Sequence, residues 1–412
     1  MAGARVNFSK EQGDQLKEEL RSFREFGRAT FCSHTSIHEL NLEVETFTNE
    51  FWTSAQRAAH SLHEISYRAC FKPQLPRFFI ERLTSPGDVV YDPFMGRGTT
   101  LLEAALSGRV PAGCDVNPLS RFLLEPRLNP PEYPEIEERL LSLELNCRGA
   151  IPEELLVFYH EETLRELCAL REYFLSHELD RIDSWLRMVA LNRLTGHSSG
   201  FFSVYTLPPN QAVSVESQRR INEKRGQVPP RRDVKRIMLK KTKSLLKDCV
   251  PSGCRRLPGE GAPWILTASS DATPQIPDES VSLVVTSPPF LDVVDYEQDN
   301  WLRSWFAGID PKSVRITMEK GLAGWRKAMS AVFRELGRIV KHGGYVAFEV
   351  GEVRHGSVYL EEQTVPCGVA AGFTPELILI NSQQFTKTAN CWGVDNNSKG
   401  TNTNRIVLFR RD

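Results

Sequence analysis

Two short stretches of the sequence combine residue types that could bind and position a small molecule. Asp92 to Thr100 reads DPFMGRGTT, and residues 283–290 read LVVTSPPF. In the first stretch, Gly96 and Gly98 stand between an apolar run and a helical pattern, where glycines let the backbone approach a ligand closely. In the second stretch, two prolines fix φ and remove backbone donors, which leaves carbonyls projecting from a stiff loop. The sequence therefore predicts two binding loops, a glycine loop and a proline loop.

The glycine loop predicts a nucleoside ligand that carries no phosphate. Asp115 ends the next apolar run, 17 residues beyond Gly98, where a carboxylate can accept hydrogen bonds from both hydroxyls of a ribose. The glycine spacing is not that of a pyrophosphate loop, and Asp92 at its start would repel a phosphate. A positively charged nucleoside fits better. S-adenosylmethionine has a ribose, a sulfonium and an ammonium, and no phosphate.

The proline loop predicts a ligand that has hydrogens to donate. The Ser287 hydroxyl and the loop carbonyls are acceptors, and the exocyclic amino group of a nucleobase offers two donors. Phe290 supplies a ring on which an extruded base can stack, a contact worth about 1 to 3 kcal/mol. A simple Pro-Pro turn beside an incidental aromatic ring is the alternative.

The elements that must position these loops follow a βα rhythm. Both loops come directly after predicted strands, and ligands of open α/β sheets bind at the carboxyl ends of the strands. We therefore expect a Rossmann-like α/β sheet of seven strands in which the two loops share one cleft. The predicted strands lie at 89–91, 111–116, 264–269, 281–285, 345–350, 376–380 and 405–409.

The chain divides by composition into three regions. Residues 1–64 are polar with helical spacing and predict a helical cap. Residues 65–125 and 262–412 carry the predicted sheet, and residues 126–261 predict a mainly helical insertion. We expect the insertion, helped by the N-terminal region, to recognise the target molecule, because no large variable block follows the proline loop.

The insertion contains a strongly basic segment. Residues 218–256 hold 14 Lys and Arg against 3 Asp and Glu, a net charge of +11 in a chain whose total is -1. Such a segment suits a polyanion, although a solvated helix face has a similar composition. Cationic side chains suit phosphates, and aromatic rings suit unstacked bases. The predicted nucleic-acid contacts are Arg219, Arg220, Arg231, Arg232, Phe201, Phe202 and Tyr205.

The overall composition is that of an ordinary globular protein. Hydrophobic residues make up 41% of the chain and charged residues 25%, which excludes a disordered chain. No apolar run reaches the roughly 20 residues of a membrane span, and the polar start MAGARVNFSKEQ lacks the core of a signal peptide. The 9 cysteines form no CxxC pair, so no metal site is predicted. We expect a cytoplasmic protein with no membrane segment.

Several motifs together resemble one enzyme family. DPFMGRGTT, DVNP and TSPPF, in that order, are similar to motifs of the S-adenosylmethionine-dependent amino methyltransferases of DNA, especially those that make N4-methylcytosine. Ser at the first place of the catalytic tetrapeptide, here Ser287, is common in cytosine-N4 enzymes. FKPQLPRFF (71–79) resembles the family's helix motif before the glycine loop, and SSDA (269–272) resembles its acidic motif. The resemblance covers residues 65–125 and 262–410.

The resemblance implies a cofactor, a reaction and a set of site residues. The cofactor is S-adenosylmethionine, the target base is flipped out of the duplex, and the methyl group is transferred without a covalent enzyme intermediate. The implied cofactor-binding residues are Phe71, Lys72, Pro73, Asp92, Pro93, Phe94, Gly96, Gly98, Thr99, Thr100, Asp115, Val116, Asn117, Asp271 and Ala272. The implied catalytic residues are Ser287, Pro288, Pro289 and Phe290.

The resemblance thus predicts a site-specific cytosine-N4 DNA methyltransferase of a bacterial restriction-modification system. Its expected partners are double-stranded DNA and a cognate restriction endonuclease, and its expected place is the bacterial cytoplasm, at the nucleoid through DNA. An adenine-N6 DNA methyltransferase is the nearest alternative, because the proline loop could hold either amino group. An RNA base N-methyltransferase and a catalytically silent DNA-binding relative are further alternatives. The intact glycine and proline loops argue against a silent protein.

Overall fold

The structure, a computed structural model, describes residues 2–53, 59–67, 70–206, 212–249, 263–289, 296–314, 321–350, 352–353, 358–382 and 403–412. The helices are α1 Ala2–Ser22, α2 Gln74–Leu83, α3 Thr99–Leu106, α4 Pro118–Leu128, α5 Tyr133–Ser142, α6 Glu161–Ser176, α7 Arg181–Arg193, α8 Val215–Arg225, α9 Val234–Leu245, α10 Tyr296–Ala307, α11 Leu322–Ile339 and α12 Glu361–Ala370. The strands are β1 Phe31–Ile37, β2 Leu42–Asn49, β3 Val89–Asp92, β4 Val110–Asp115, β5 Trp264–Thr267, β6 Val281–Thr286, β7 Val340–Val350, β8 Glu352–Val353, β9 Val358–Tyr359, β10 Phe373–Ser382 and β11 Thr403–Arg411.

The main sheet is Rossmann-like and has a topological switch point between β3 and β6. Its order is β1-β2-β10-β11-β7-β6-β3-β4-β5. Strands β5, β4, β3, β6 and β7 are parallel, and β11 lies antiparallel between β7 and β10. From β3 the chain proceeds outward to β5 and then returns to β6 and β7 on the other side. Ligands of such sheets bind where the strand order reverses.

The predicted number of seven strands is wrong, because the sheet has nine. All seven predicted strands are present, but β1 and β2 arise from a region that we predicted to be helical. Strand β2 pairs in parallel with β10, with Thr46 opposite Ile378, and β1 pairs antiparallel with β2. Val44, Thr46 and Phe47 are buried, and β-branched and aromatic residues favour strands. The division into domains stays a prediction.

Helices cover both faces of the sheet. Helices α1 and α2 pack on the face that carries Leu283 and Val285. Helices α11 and α12 pack on the face that carries Val284 and Phe348. All six residues of β6 are buried, as expected of a strand that lies between two helical layers.

The insertion is mainly helical in the part that the structure describes. Helices α5, α6, α7 and α9 share one hydrophobic core with α3, α4 and α10. The helix that follows the glycine loop therefore packs on the sheet and on the insertion. None of the described helices has the length and apolar character that crossing a bilayer requires.

Candidate cofactor and substrate cleft

A cavity of about 350 Å³ lies at the carboxyl ends of β3, β4 and β6, at the switch point of the sheet. The structure brings the glycine loop and the proline loop together in its wall. The wall consists of Tyr67, Cys70, Phe71, Asp92, Pro93, Phe94, Met95, Gly96, Thr99, Asp115, Val116, Asn117, Ala268, Ser269, Ser270, Asp271, Ser287, Pro289, Trp325, Lys327, Ala328, Met329, Ala331, Val332 and Arg334.

The glycine loop needs glycine for both conformation and packing. Gly96 and Gly98 have φ of 49° and 77°, a left-handed conformation that other residues adopt at a cost. A Cβ on Gly98 would lie 2.5 Å from Cδ1 of Leu124. Gly98 therefore lets α3 begin in close contact with α4, and it lies behind the cavity wall.

The Asp115 carboxylate already binds the backbone amides of the loops beside it. Its Oδ2 accepts a hydrogen bond from the Gly96 amide at 2.9 Å, and its Oδ1 accepts one from the Asn117 amide at 2.8 Å. Burial raises the pKa of this carboxyl. Each oxygen can accept a further hydrogen bond. The Gly96 amide thus faces a carboxylate, and this part of the wall suits hydroxyls and cations better than a phosphate.

Asp92 connects the glycine loop to the strand that precedes the proline loop. It is 1% exposed, and its Oδ1 accepts hydrogen bonds from the Phe94 amide at 3.0 Å and the Thr286 hydroxyl at 2.6 Å. The Thr100 hydroxyl donates to the Val285 carbonyl at 3.0 Å. Burial raises the pKa of Asp92 to about 7. The Thr286–Asp92 and Thr100–Val285 hydrogen bonds therefore fix the glycine loop relative to the strand that leads into the proline loop.

A buried carboxyl that we did not predict lies behind Ser287. Glu349 in β7 is 6% exposed, its carboxylate accepts a hydrogen bond from the side-chain amide of Asn404, and the Ser287 hydroxyl is near enough to lower its pKa. Burial raises the pKa of Glu349 to about 7, although the Asn404 amide and the Ser287 hydroxyl lower it. The available signal in the sequence was a single charge inside the apolar run YVAFEV. Ser287 therefore lies near a group that can take up a proton near neutral pH.

Helix α11 supplies a second unpredicted part of the wall. The indole Nε1 of Trp325 donates to the Pro289 carbonyl at 3.3 Å, and Trp325 is 4% exposed. The spacing of Trp325, Ala328, Met329 and Val332 is that of a helix face that packs on a sheet, and this spacing does not distinguish them from core residues. Trp325 therefore restrains the proline loop through its contact with the Pro289 carbonyl.

Some predicted site residues lie outside the cavity wall. Lys72, Pro73, Gly98, Thr100, Ala272 and Pro288 do not line it. Pro73 precedes α2, and Pro288 is buried. Phe290 lies outside the described residues, so its proposed stacking stays a prediction. Among the residues that the structure describes, no group of three His, Cys, Asp or Glu could hold a metal ion.

The predicted aromatic contacts of the insertion differ in their exposure. Phe202 is fully buried in the core of the insertion, so we withdraw it as a base contact. Phe201 and Tyr205 are partly exposed, and guanidinium groups cover their rings. The Arg193 guanidinium lies 4.0 Å from the Phe201 ring centre, and that of Arg225 lies 3.9 Å from the Tyr205 ring centre.

The predicted basic contacts are partly neutralised. Arg220 pairs with Glu216 at 2.6 Å, and Arg231 pairs with Glu162 at 2.7 Å. The Arg232 backbone binds the Thr163 hydroxyl, and its side-chain Nε is buried. Arg219 is exposed on α8. The position of charge in the sequence therefore does not by itself identify the cations that are available to a phosphate.

Comparisons with known proteins point to methyltransferases. A family model described as DNA methylase matches residues 5–119. The Type II methyltransferase M.BsoBI of Geobacillus stearothermophilus is 26% identical over 301 residues, which are 66% of this chain and 58% of that protein. The Type II methyltransferase M.MvaI of Kocuria varians is 31% identical over 140 residues, which are 33% of this chain and 27% of that protein. The matched regions thus span less than two thirds of either relative.

Among solved structures, a TehB-like SAM-dependent methyltransferase from Corynebacterium glutamicum superposes with a TM-score of 0.29 at 7% identity. The superposition covers 82% of this chain and 87% of that chain.

Proposed function

We propose that this protein is a site-specific DNA methyltransferase that transfers a methyl group from S-adenosylmethionine to the N4 amino group of cytosine. The observation that carries the proposal is the single cavity whose wall contains both the glycine loop and Ser287. The match to the DNA methylase family and the similarity to Type II methyltransferases support DNA methylation. Ser at position 287 favours cytosine N4, and adenine N6 is the second candidate. A cognate restriction endonuclease stays a prediction.

The cavity suits S-adenosylmethionine as the cofactor. Two carboxyls, Asp92 and Asp115, lie in the part of the wall that the glycine loop forms, and they attract a ligand with positive charge and no phosphate. The glycine loop would hold the methionine part, Asp115 the ribose hydroxyls and Asp271 the edge of the adenine. When bound, S-adenosylmethionine supplies an electrophilic methyl group.

Ser287 positions the amino group of a base that has left the duplex. Its hydroxyl oxygen accepts a hydrogen bond from that group, which draws the nitrogen lone pair out of conjugation with the ring. The hydrogen bond between Thr286 and Asp92 restrains the start of the loop, and the hydrogen bond from Trp325 to the Pro289 carbonyl restrains its end. The rate enhancement then comes mainly from positioning in a site of low polarity.

The methylated nitrogen must lose one proton, and Glu349 is placed to receive it. The Ser287 oxygen takes a proton from the nitrogen while the Ser287 hydroxyl proton passes to the Glu349 carboxylate. A serine hydroxyl alone is too weak a base for this step. Because the pKa of Glu349 is raised to about 7, its carboxylate is available at neutral pH and basic enough to accept the proton.

The reaction is tested by identifying the methylated nucleoside. The protein is incubated with duplex DNA and S-adenosylmethionine labelled on its methyl group, and the product is digested to nucleosides. We expect N4-methyldeoxycytidine, and no label with Ser287→Ala. Label in N6-methyldeoxyadenosine would reject cytosine as the target, and label only in RNA would reject DNA. Cofactor binding without transfer to DNA or RNA would indicate a silent relative.

The cofactor affinity is expected to fall as the pH is lowered through about 7. Only the ionised form of Asp92 attracts a cation, and burial raises its pKa to about 7 in the free protein. Below that pH, affinity should fall by up to about tenfold per pH unit. Asp92→Asn keeps the hydrogen-bond acceptor, and it should bind weakly and lose the part of the pH dependence that is centred near 7. Titration calorimetry between about pH 6 and 8 tests this. Asp271→Asn, at an exposed position of the wall, is the control and should keep the wild-type profile.

A further inference from the structure

Helix α9 presents a row of exposed cations to solvent. Arg236, Lys240 and Lys243 on the helix and Lys247 just beyond it are all exposed. Their spacing of four, three and four residues places them on one face of a helix. The buried positions of α9 are Val234, Met238, Thr242 and Leu245. We call Arg236, Lys240, Lys243 and Lys247 the α9 basic row.

The charges of the α9 basic row have no carboxylate partners among the residues that the structure describes. In the same segment, Arg220 and Arg231 form ion pairs. Lys235 and Lys241 are also engaged, because they donate to backbone carbonyls of residues 141, 143 and 64. The Lys243 ammonium lies 4.7 Å from the centre of the Tyr133 ring, a contact that leaves its charge in place. The four charges of the basic row are therefore uncompensated within the described part of the segment, as is that of the exposed Arg219 on α8.

Helix α9 is attached to the chain segment that leads into the cavity. The Ser61 hydroxyl donates to the Leu245 carbonyl at 2.7 Å, and the Ser244 hydroxyl donates to Glu64 at 2.9 Å. Tyr67, three residues after Glu64, lines the cavity. Three residues span about 11 Å when fully extended. The carboxyl end of α9 is therefore held within about 11 Å, along the chain, of a residue of the cavity wall.

We propose that the α9 basic row binds the phosphate backbone of duplex DNA beside the target base. This inference rests on the proposed function. The row is about 16 Å long, which corresponds to about five phosphates of one strand along the duplex axis. Separate cations on a helix surface neutralise phosphates and do not distinguish bases. The row thus holds the duplex, and it replaces the paired arginines Arg220 and Arg231 as the main phosphate contact.

The test compares the salt dependence of DNA binding in two charge-matched variants. One carries Arg236→Ala, Lys240→Ala, Lys243→Ala and Lys247→Ala. The control carries Lys10→Ala, Arg24→Ala, Arg28→Ala and Arg148→Ala, four exposed cations elsewhere on the chain. Fluorescence anisotropy of a labelled duplex is measured over a range of salt concentrations. For the row variant we expect the slope of log affinity against log salt to shrink by about 3 to 4, with at least about a hundredfold weaker binding near 0.1 M salt. We expect a slope change below about one in the control.

Cofactor affinity and kcat at saturating DNA should stay at wild-type values in the row variant, because no residue of the row lines the cavity. If the fourfold variant fails to fold, Lys240→Glu alone should still reduce the slope. An unchanged slope, or an equal loss in the control, would overturn the proposal. A slope change with duplex RNA and none with DNA would also overturn it. The binding experiment requires no catalysis, so a wild-type protein that methylates nothing would reject the proposed function without deciding the role of the row.

Discussion

Asp115→Ala is expected to weaken S-adenosylmethionine binding about a hundredfold. Two ribose hydroxyls would donate to this carboxylate, and hydrogen bonds to a charged acceptor contribute about 1.5 to 3 kcal/mol each. A loss of about 3 kcal/mol corresponds to more than a hundredfold in the dissociation constant. The substitution also releases the Gly96 and Asn117 amides that the carboxylate holds at 2.9 and 2.8 Å. Titration calorimetry with S-adenosylmethionine measures the effect directly.

Asp271→Ala is the matched control for this loss. Asp271 also lines the cavity, but it is exposed and accepts a hydrogen bond from the neighbouring Ser269 hydroxyl. Removing it should weaken binding less than tenfold, because solvent replaces much of its contribution. Binding of Asp115→Ala within about threefold of wild type would contradict the assignment of Asp115 to the ribose.

The strands of the doubly wound sheet could be predicted because each is specified by its own residues. Strands β3 and β6 are short apolar runs, and each is followed by a loop that contains glycine or proline. A continuous apolar run is expected of a strand that helices cover on both faces. Strands β1 and β2 are half polar, as the sequence LEVETFTN shows. Their position depends on the pairing of β2 with β10, more than 300 residues later in the chain. The residues of β1 and β2 alone do not indicate that β2 pairs with β10.

In the cavity too, residues that the local sequence identifies were predicted, and residues that depend on contacts between distant elements were missed. Asp92 and Asp115 end strands β3 and β4, and Ser287 directly follows β6, so their place in the sheet followed from their place in the sequence. Glu349 and Trp325 matter through contacts with residues of other elements, namely Ser287 and the Pro289 carbonyl. In the insertion, tertiary ion pairs decide which cations remain available. Sequence alone gives the charges but not their partners.

Glu349→Gln is expected to lower kcat by about 10² to 10⁴, the usual contribution of a positioned acid-base group. The amide has nearly the same volume and can still accept the hydrogen bond from Asn404, but it cannot take up a proton. Ser287 can then pass the proton only to water. Because Glu349 does not line the cavity, S-adenosylmethionine affinity should stay unchanged. Single-turnover rates with labelled cofactor and a saturating duplex measure the loss.

The pH dependence separates this role from a structural one. The wild-type single-turnover rate should rise with pH through about 7, where Glu349 becomes ionised, and Glu349→Gln should lack that rise. Burial holds the folded-state pKa above the unfolded value, so ionising Glu349 lowers the free energy of unfolding as the pH rises from about 4.5 to 7. Glu349→Gln should therefore be at least as stable as wild type at about pH 8.

A control substitution and a double variant complete the test of Glu349. Glu335→Gln breaks an ion pair with Arg338 at 2.6 Å, and Glu335 itself does not line the cavity, so the substitution should reduce stability while kcat stays at the wild-type value. If Glu349 acts through Ser287, the variant with both Ser287→Ala and Glu349→Gln should be no slower than the slower single variant, because residues that act as one unit are not additive. If the rate losses of the two single variants multiply in the double variant, Ser287 and Glu349 act independently. A wild-type rate and pH profile in Glu349→Gln would leave water as the proton acceptor and Ser287 as a positioning group alone.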